Sequence, residues 1–270
     1  MPTTRQALSS TRHLRPLAAP RRILPQDGVD RPLATLVHDY ASGEAVPPHR
    51  HARAQLLYAT RGVMRVATEA AGFVVPPGHA LWIPAEQPHA VDAEGGVAMR
   101  ALFLRADAAG AGPNSATALA VSPLLRELIL AACAEPLEWD EAGRGGHLAA
   151  LILDEIARAR RLPFRVPEPR DPRLRRLAAL LRADLASPRR LEDWAPLAGA
   201  SPRTLERLFR RETGMGFARW RQTLRLTEAA ARLSRGETPA RAAAAVGYAS
   251  ASAFGAAFRT AFGVTPGMAR

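Results

Sequence analysis

The sequence predicts an α+β multidomain fold, with a strand-rich N-terminal half, a helical hairpin and an all-α C-terminal half that holds two helix-turn-helix units. Short apolar runs bounded by Gly and Pro fill residues 31–104, which is typical of strands. From residue 123 onward, apolar residues recur every three to four positions, which is typical of helices. A length of 270 residues is enough for two domains with separate cores.

The positive charge of the chain is concentrated at its two ends. The net charge is +12, and residues 1–26 hold five Arg and no acid. Residues 171–270 hold 18 Arg against eight acids, whereas the middle of the chain is slightly acidic. A cationic field confined to one module indicates a polyanionic partner for that module. Residues 1–22 lack the apolar run of a signal peptide, and they are expected to form a disordered basic tail.

The single cysteine and the hydropathy of the chain indicate its compartment. Cys133 has no second cysteine to pair with, so a disulfide within the chain is excluded and a reducing compartment fits. No stretch approaches the ~20 apolar residues of a membrane span. We therefore expect a cytoplasmic protein without a membrane partner.

Residues 23–106 are predicted to form a small β-barrel that contains two blocks of polar residues. The blocks are Gly43, His49, His51, Gln55 and Gly62, then Gly78, Pro84 and His89. Residues two apart on a strand face the same side, so His49 and His51 can point inward together. The blocks resemble the paired motifs of the cupins, a family of double-sheet barrels. The resemblance implies that His49, His51, Gln55 and His89 surround a divalent metal ion.

Two interpretations of this pocket stay open. Gln55 stands where cupins usually have Glu, and a neutral amide is a weaker ligand. The histidines either hold a metal with an open coordination position, or line a metal-free pocket and hydrogen-bond to an organic effector. Tyr58, Trp82 and Phe103 lie on the predicted strands and are predicted to line this effector pocket, although core packing is the more common role of aromatic residues on strands.

Residues 107–162 are predicted to form a connector followed by two amphipathic helices. Pro123 opens the first helix, and the second follows the glycines at 143–146. This hairpin either forms the contact between two subunits of a dimer or packs on the barrel. Residues 163–172 contain four prolines and are predicted to be a semi-rigid linker.

Residues 173–270 are predicted to be all-α, and their first recognition helix begins after Ser201. Ser201, which is also predicted to contact DNA, is a suitable N-cap, and Pro202 is a suitable first helical residue. Apolar residues at 205, 208 and 209 share one face of this helix. The other face carries Arg203, Thr204 and Arg207, predicted to contact base edges, and Arg210 and Arg211, predicted to contact phosphate. Such a helix suits the major groove, although a solvated surface helix shows the same pattern.

A long helix over residues 216–235 is predicted to join this unit to a second one. Its Arg221 and Arg225 are predicted to contact phosphate. Ser250 then caps a helix with phenylalanines at 254, 258 and 262, whose spacing of four makes one core stripe. The DNA-facing residues of this second recognition helix are predicted to be Ser250, Ser252 and Arg259.

The end of the chain resembles a known family. Residues 247–254, Phe258-Arg259, residues 263–266 and Arg270 resemble the C-terminal signature of AraC/XylS-type transcription regulators. The resemblance covers about the last hundred residues, including both helix-turn-helix units in order. It implies sequence-specific DNA binding, with the two recognition helices in successive major grooves. One departure is that the second recognition helix offers few polar groups to DNA.

Together these features predict a transcription regulator, and not an enzyme, that responds to a small-molecule or metal effector in its N-terminal barrel. The expected partners are double-stranded operator DNA, the effector, a second copy of the chain and RNA polymerase. An architectural DNA binder with a non-sensing barrel is the main alternative. A cupin-type metalloenzyme is a further alternative, and the Gln55 amide argues against it.

Overall fold

The computed structural model describes residues 19–162 and 164–269, so most of the predicted basic tail lies outside the described residues. Residues 19–22, which the sequence assigned to that tail, lie along the sheet. The backbone N–H of Arg22 donates to the Arg50 carbonyl at 2.9 Å, and the Arg50 N–H donates to the Pro20 carbonyl at 3.2 Å. The predicted disorder is therefore wrong for these four residues.

The N-terminal half is built on one bent antiparallel sheet. Its strands within the described residues are β1 (Leu33–Tyr40), β2 (Ala45–His49), β3 (Ala54–Thr68), β4 (Ala71–Val75), β5 (His79–Ile83), β6 (His89–Leu104), β7 (Thr117–Ala120), β8 (Arg161–Leu162) and β9 (Arg165–Pro167). The sheet order is β1-β6-β3-β5-β7-β8, with β2 beside β6 and β4 between β3 and β9. The described strands do not close into the predicted barrel, because the path of paired strands ends at β1 and at β8, which do not pair with each other.

Three of the strands come from residues beyond the predicted barrel at 23–106. Strand β7 lies in the predicted connector, and β9 lies in the predicted linker at 163–172. Strand β9 pairs with β4 alone, and such an edge position tolerates Pro167 at the end of the strand. The segment predicted to be a linker is therefore fixed to the sheet in its first half.

A helical hairpin covers one face of the sheet. It consists of α1 (Pro123–Cys133) and α2 (Arg144–Arg158), and its Ile129 and Ile152 are fully buried against that face. Between the helices, Trp139 donates from Nε1 to the Leu33 carbonyl at 3.0 Å. The hairpin thus packs on the sheet, as one of the two interpretations expected.

The C-terminal half is all-α in the described residues. Its helices are α3 (Pro172–Ala183), α4 (Leu191–Ala198), α5 (Pro202–Thr213), α6 (Phe217–Ser234), α7 (Pro239–Ala245) and α8 (Ala251–Phe262). Ser201 caps α5 by accepting from the Thr204 N–H at 3.2 Å, and Ser250 caps α8 by accepting from the Ala253 N–H at 3.1 Å. These caps are local sequence signals, and the predicted fold class is confirmed.

Helix α6 joins the two halves of the molecule. Its Ala231 packs against Val63 and Val74 of the sheet, and its Glu228 forms an ion pair with Arg65 of β3 at 2.7 Å. Among the residues that the structure describes, no helix combines the length and apolar character that a membrane crossing requires.

Candidate functional site

Helices α4 and α5 form the first helix-turn-helix unit. The back of α5 carries Leu205, Leu208 and Phe209, each at most 1 % exposed. Because these residues occupy one side, the arginines of α5 lie on the other, and all four are exposed: Arg203, Arg207, Arg210 and Arg211. The helix therefore presents a cationic surface to solvent.

The four arginines of α5 differ in their ion pairing. Arg210 lies 3.0 Å from Glu206, and Arg211 lies 3.2 Å from Glu212. Arg203 and Arg207 form no ion pair with any described residue, so they keep their full donor capacity for a base edge or a phosphate. The half-buried Thr204 places its hydroxyl 2.9 Å from the Ser201 hydroxyl, at the start of the same helix.

Helices α7 and α8 form the second unit, which offers much less to a ligand. Its core stripe of Phe254, Phe258 and Phe262 is at most 2 % exposed. Ser252 and Arg259 are exposed, and the remaining exposed side chains on this helix are mostly alanine. We therefore expect α8 to contact mainly the phosphate backbone of DNA, which positions the helix, rather than the edges of the bases.

Two arginines predicted to contact phosphate have a different role in the structure. Arg225 of α6 donates to the Leu185 carbonyl at 2.8 Å and to the Ser187 carbonyl at 2.9 Å, and Arg221 donates to the Arg189 carbonyl at 2.7 Å. Burial lowers the pKa of both guanidinium groups. These groups hold the loop between α3 and α4 against α6, so the donors used there are not free for a phosphate, and the phosphate contact stays a prediction.

The structure brings the four predicted metal ligands together on the inner face of the sheet. His49 ends β2, His51 follows it, Gln55 lies on β3 and His89 begins β6. Their exposed fractions are 6 %, 3 %, 4 % and 1 %. The three histidines each offer a ligand nitrogen, and these nitrogens all lie within 4.8 Å of one another. Side chains far apart in sequence thus converge on one point.

Backbone carbonyls fix the orientation of two of the rings. Nδ1 of His49 lies 2.8 Å from the Pro47 carbonyl, and Nδ1 of His89 lies 3.0 Å from the Gln87 carbonyl. A carbonyl only accepts hydrogen bonds, so each Nδ1 is the donor and each Nε2 keeps its lone pair. This arrangement is the one that metal-binding histidines use.

The inner face of the cluster contains polar atoms without a hydrogen-bond partner in the described residues. They are Nδ1 of His51, Nε2 of His89 and Oε1 of Gln55, and all three are buried. Burial lowers the pKa of His51 to about 4 and that of His89 to about 3, so the rings are neutral near pH 7. Buried polar atoms normally have partners, and the cluster therefore has unused capacity to bind a ligand.

The space that these atoms enclose is small. The cavity has a volume of about 20 Å³, and a water molecule needs at least roughly 10–15 Å³ by the same measure. Phe103, one of the predicted pocket residues, lines it, and its ring centroid lies 5.1 Å from that of His51. Arg22 also lines the cavity, although it belongs to the segment predicted to be a disordered tail and was therefore not predicted as a pocket residue.

Tyr58 and Trp82 do not line this cavity. Both lie in the apolar cluster beneath the α1–α2 hairpin, where Trp82 donates from Nε1 to the Pro113 carbonyl at 2.7 Å. Tyr58 is three residues from Gln55 on β3, and an odd separation places two side chains on opposite faces of a strand. The pocket prediction for these two residues is wrong, and strand alternation counted from Gln55 would have placed Tyr58 correctly.

Comparisons with known proteins agree with both halves of this structure. A family profile described as "AraC-like ligand binding domain" matches residues 32–195, and one described as "Helix-turn-helix domain" matches residues 194–270. The HTH-type transcriptional regulator NimR of Escherichia coli K12 is 30 % identical over 235 residues, which are 87 % of this chain and 86 % of NimR. The chain belongs to the AraC-type transcriptional regulators. It binds DNA through its C-terminal helix-turn-helix units and carries an N-terminal ligand-binding domain.

Further relatives of the regulator match shorter parts of it or match its shape only loosely. RipA of Corynebacterium glutamicum is 37 % identical over 111 residues, which are 40 % of this chain and 34 % of RipA. An AraC-type regulator structure from Chromobacterium violaceum is 30 % identical over 37 % of this chain and 89 % of that chain, with a TM-score of 0.35. ToxT from Vibrio cholerae, crystallised with an unsaturated fatty acid, is 11 % identical over 87 % and 93 % of the two chains, with a TM-score of 0.36.

The unpaired Arg207 gives a direct test of the first recognition helix. Arg207→Ala is expected to weaken binding to a selected operator by about 1–3 kcal/mol and to relax its sequence preference, because a guanidinium on a base edge is lost. Fluorescence anisotropy on the operator and on random duplex measures both effects. Arg158→Ala on α2 is the control, because Arg158 is 74 % exposed and pairs only with Asp154 among the described residues. Unchanged affinity and selectivity in Arg207→Ala would contradict the assignment.

Proposed function

We propose that the regulator responds to a divalent transition-metal ion bound by His49, His51 and His89, with the Gln55 amide oxygen beside them. The observation that supports this most strongly is the set of converging ring nitrogens, all within 4.8 Å of one another. Neutral imidazole is a favourable ligand for zinc, copper, iron and nickel. The unpartnered atoms of His51, His89 and Gln55 gain a partner when an ion binds.

The size of the cavity favours an ion over an organic effector. A free volume of about 20 Å³ accommodates a body the size of a water molecule. A typical organic ligand site has roughly 300–1,000 Å³, so an organic effector requires the strands and the segment at residues 19–22 to move apart. The metal interpretation needs no such movement.

We infer that the site binds and does not catalyse. General acid–base catalysis needs a side chain that is free to give up or accept a proton. In this proposal the three histidines are metal ligands, and no carboxylate is among the described residues that line the cavity. The metal would therefore act as an effector whose binding favours one arrangement of the domains over another.

The metal proposal predicts the loss of a bound ion from histidine variants. The wild-type chain is expected to retain about one zinc or nickel ion after dialysis, and His49→Ala and His89→Ala are expected to lose it, because each removes a ligand. Elemental analysis measures the content, and calorimetry with Zn²⁺ and Ni²⁺ measures the affinity. His147→Ala is the control, since His147 is exposed on α2. Gln55→Glu is expected to bind the ion more tightly, because it adds a negative charge.

The same samples show whether the ion controls DNA binding. Operator affinity is expected to change by about 5–150-fold when the ion is added, which is the usual range of coupling between two sites. His89→Ala is expected to show no such change. A wild-type chain that holds no metal, or whose operator affinity does not change when metal is added, would contradict the proposal. It would favour either an architectural DNA binder with a non-sensing N-terminal domain or a regulator with an organic effector.

We further propose that the regulator acts as a homodimer through the outer face of the α1–α2 hairpin. Leu124 of α1 and Leu151 of α2 are 51 % and 48 % exposed. A second copy that covers this face would remove their surface from water. We also propose that the regulator acts in the cytoplasm. RNA polymerase is the proposed partner of the DNA-bound dimer.

A charge on the hairpin tests the dimer. The double variant Leu124→Glu and Leu151→Glu is expected to be a monomer at micromolar concentration, because like charges would face each other in an apolar contact. Sedimentation velocity measures the molecular mass. The control is Val37→Glu, which changes an apolar side chain on β1 that is 48 % exposed. A wild-type chain that sediments only as a monomer would overturn the proposal.

A further inference from the structure

One short segment of the ligand-binding domain contacts both helix-turn-helix units. We call residues 160–162 and 164–171 the interdomain segment. Its strands β8 and β9 are fixed to the sheet, β8 by pairing with β7 and β9 by pairing with β4. At its start, the Ala120 N–H donates to the Arg160 carbonyl at 2.9 Å, and at its end the Glu168 N–H donates to the Ala70 carbonyl at 3.1 Å. The segment is therefore hydrogen-bonded to the sheet at residues 160–162 and at residues 165–168.

The second half of the interdomain segment holds the first helix-turn-helix unit. Trp220 of α6, which is fully buried, donates from Nε1 to the Pro167 carbonyl at 2.8 Å. The Glu212 carboxylate of α5 accepts from the backbone N–H groups of Arg170 and Asp171 at 2.8 Å and 3.0 Å. The end of the first recognition helix is thus tied directly to the ligand-binding domain.

The first half of the interdomain segment holds the second unit. Phe164 stacks on Phe262 of α8 with a centroid distance of 4.4 Å and an interplanar angle of 19°. Nη2 of Arg160 donates to the Phe262 carbonyl at 2.9 Å. A cation at the C-terminal end of a helix is favourable, because the last carbonyls carry partial negative charge.

The Arg160 guanidinium lies close to the backbone at the end of α8. A Cβ atom on Gly263, which ends the helix, would lie 2.8 Å from Nη1 of Arg160. Gly263 also has a φ of +76°, a conformation that only glycine adopts readily. The guanidinium is therefore seated directly on the backbone at the end of the second recognition helix.

We propose that Arg160 is a positioning residue for DNA binding: it fixes the second recognition helix relative to the first and so sets the operator spacing that the regulator accepts. The inference rests on the expectation that the two helices occupy successive major grooves. Helix α8 has few groups that distinguish bases, so its main contribution is its position. Holding both helices in place before binding reduces the entropic cost of engaging both grooves at once.

The test compares operators that differ only in the spacing between their two contacted elements. A duplex selected by the wild-type chain is lengthened by three base pairs between the elements, which turns the second groove by about 100°. The dissociation constants for both duplexes are measured by fluorescence anisotropy for wild type, Arg160→Gln, Arg160→Lys and the control Arg158→Ala. Thermal unfolding of each variant shows whether it is folded.

The wild-type chain and Arg158→Ala are expected to bind the lengthened duplex about tenfold or more weakly than the original, because the second contact is lost. Arg160→Gln is expected to bind the original duplex more weakly and to show a spacing penalty below about threefold. Arg160→Lys keeps a cation near the Phe262 carbonyl. Its ratio of dissociation constants for the lengthened and the original duplex is therefore expected to be close to that of the wild-type chain. A purely stabilising role would lower the unfolding temperature and leave the spacing penalty unchanged.

Two outcomes overturn the inference in different ways. A folded Arg160→Gln variant with the wild-type spacing penalty overturns the role of Arg160 alone. In that case the remaining contacts, which are the stacking of Phe164 on Phe262 and the hydrogen bond from Arg225 to the Gly247 carbonyl at 3.4 Å, together with α6, suffice to set the spacing. A wild-type chain that binds both duplexes equally overturns the two-groove arrangement itself, whatever the metal content of the protein.

Discussion

Burial on both faces of β3 at residues 54–59 and of β6 at residues 97–104 is the constraint on which the rest of the structure depends. These long central strands place alternate side chains on opposite faces. On one face, Gln55 and His89 meet the other two histidines around a cavity that holds little more than a single ion. On the other face, apolar side chains receive the α1–α2 hairpin. Because neither face is free, a change at the histidines is transmitted to packed neighbours rather than absorbed by solvent.

The same two strands extend to the DNA-binding half. Glu94 lies five residues after His89 on β6, a distance of roughly 17 Å along a strand. It pairs with Arg65 of β3 at 2.8 Å and also with Arg235 after α6. Arg65 in turn pairs with Glu228 of α6 at 2.7 Å. The strand that holds a histidine of the site therefore contacts the helix that joins the two DNA-binding units.

Local signals in the sequence were sufficient for the C-terminal half but not for the site. The caps at Ser201 and Ser250 and the apolar stripes depend on residues within one helix, so the sequence predicted both units. The role of Arg225 depends on loop carbonyls 38 and 40 residues away, which no local pattern reveals. Strands of two and three residues, such as β8 and β9, are too short to show a period. The histidine cluster was predicted through its spacing, whereas its enclosure by Arg22 was not.

Hydroxyl-radical footprinting of the regulator on a selected operator tests the account most directly. Two α-helices placed in successive major grooves predict two protected windows on one face of the duplex, about 10 base pairs apart. The window beneath α5 should weaken in Arg207→Ala, while the other window persists at higher protein concentration. A single window, or protection that does not depend on sequence at low salt, would contradict the proposed use of both helix-turn-helix units.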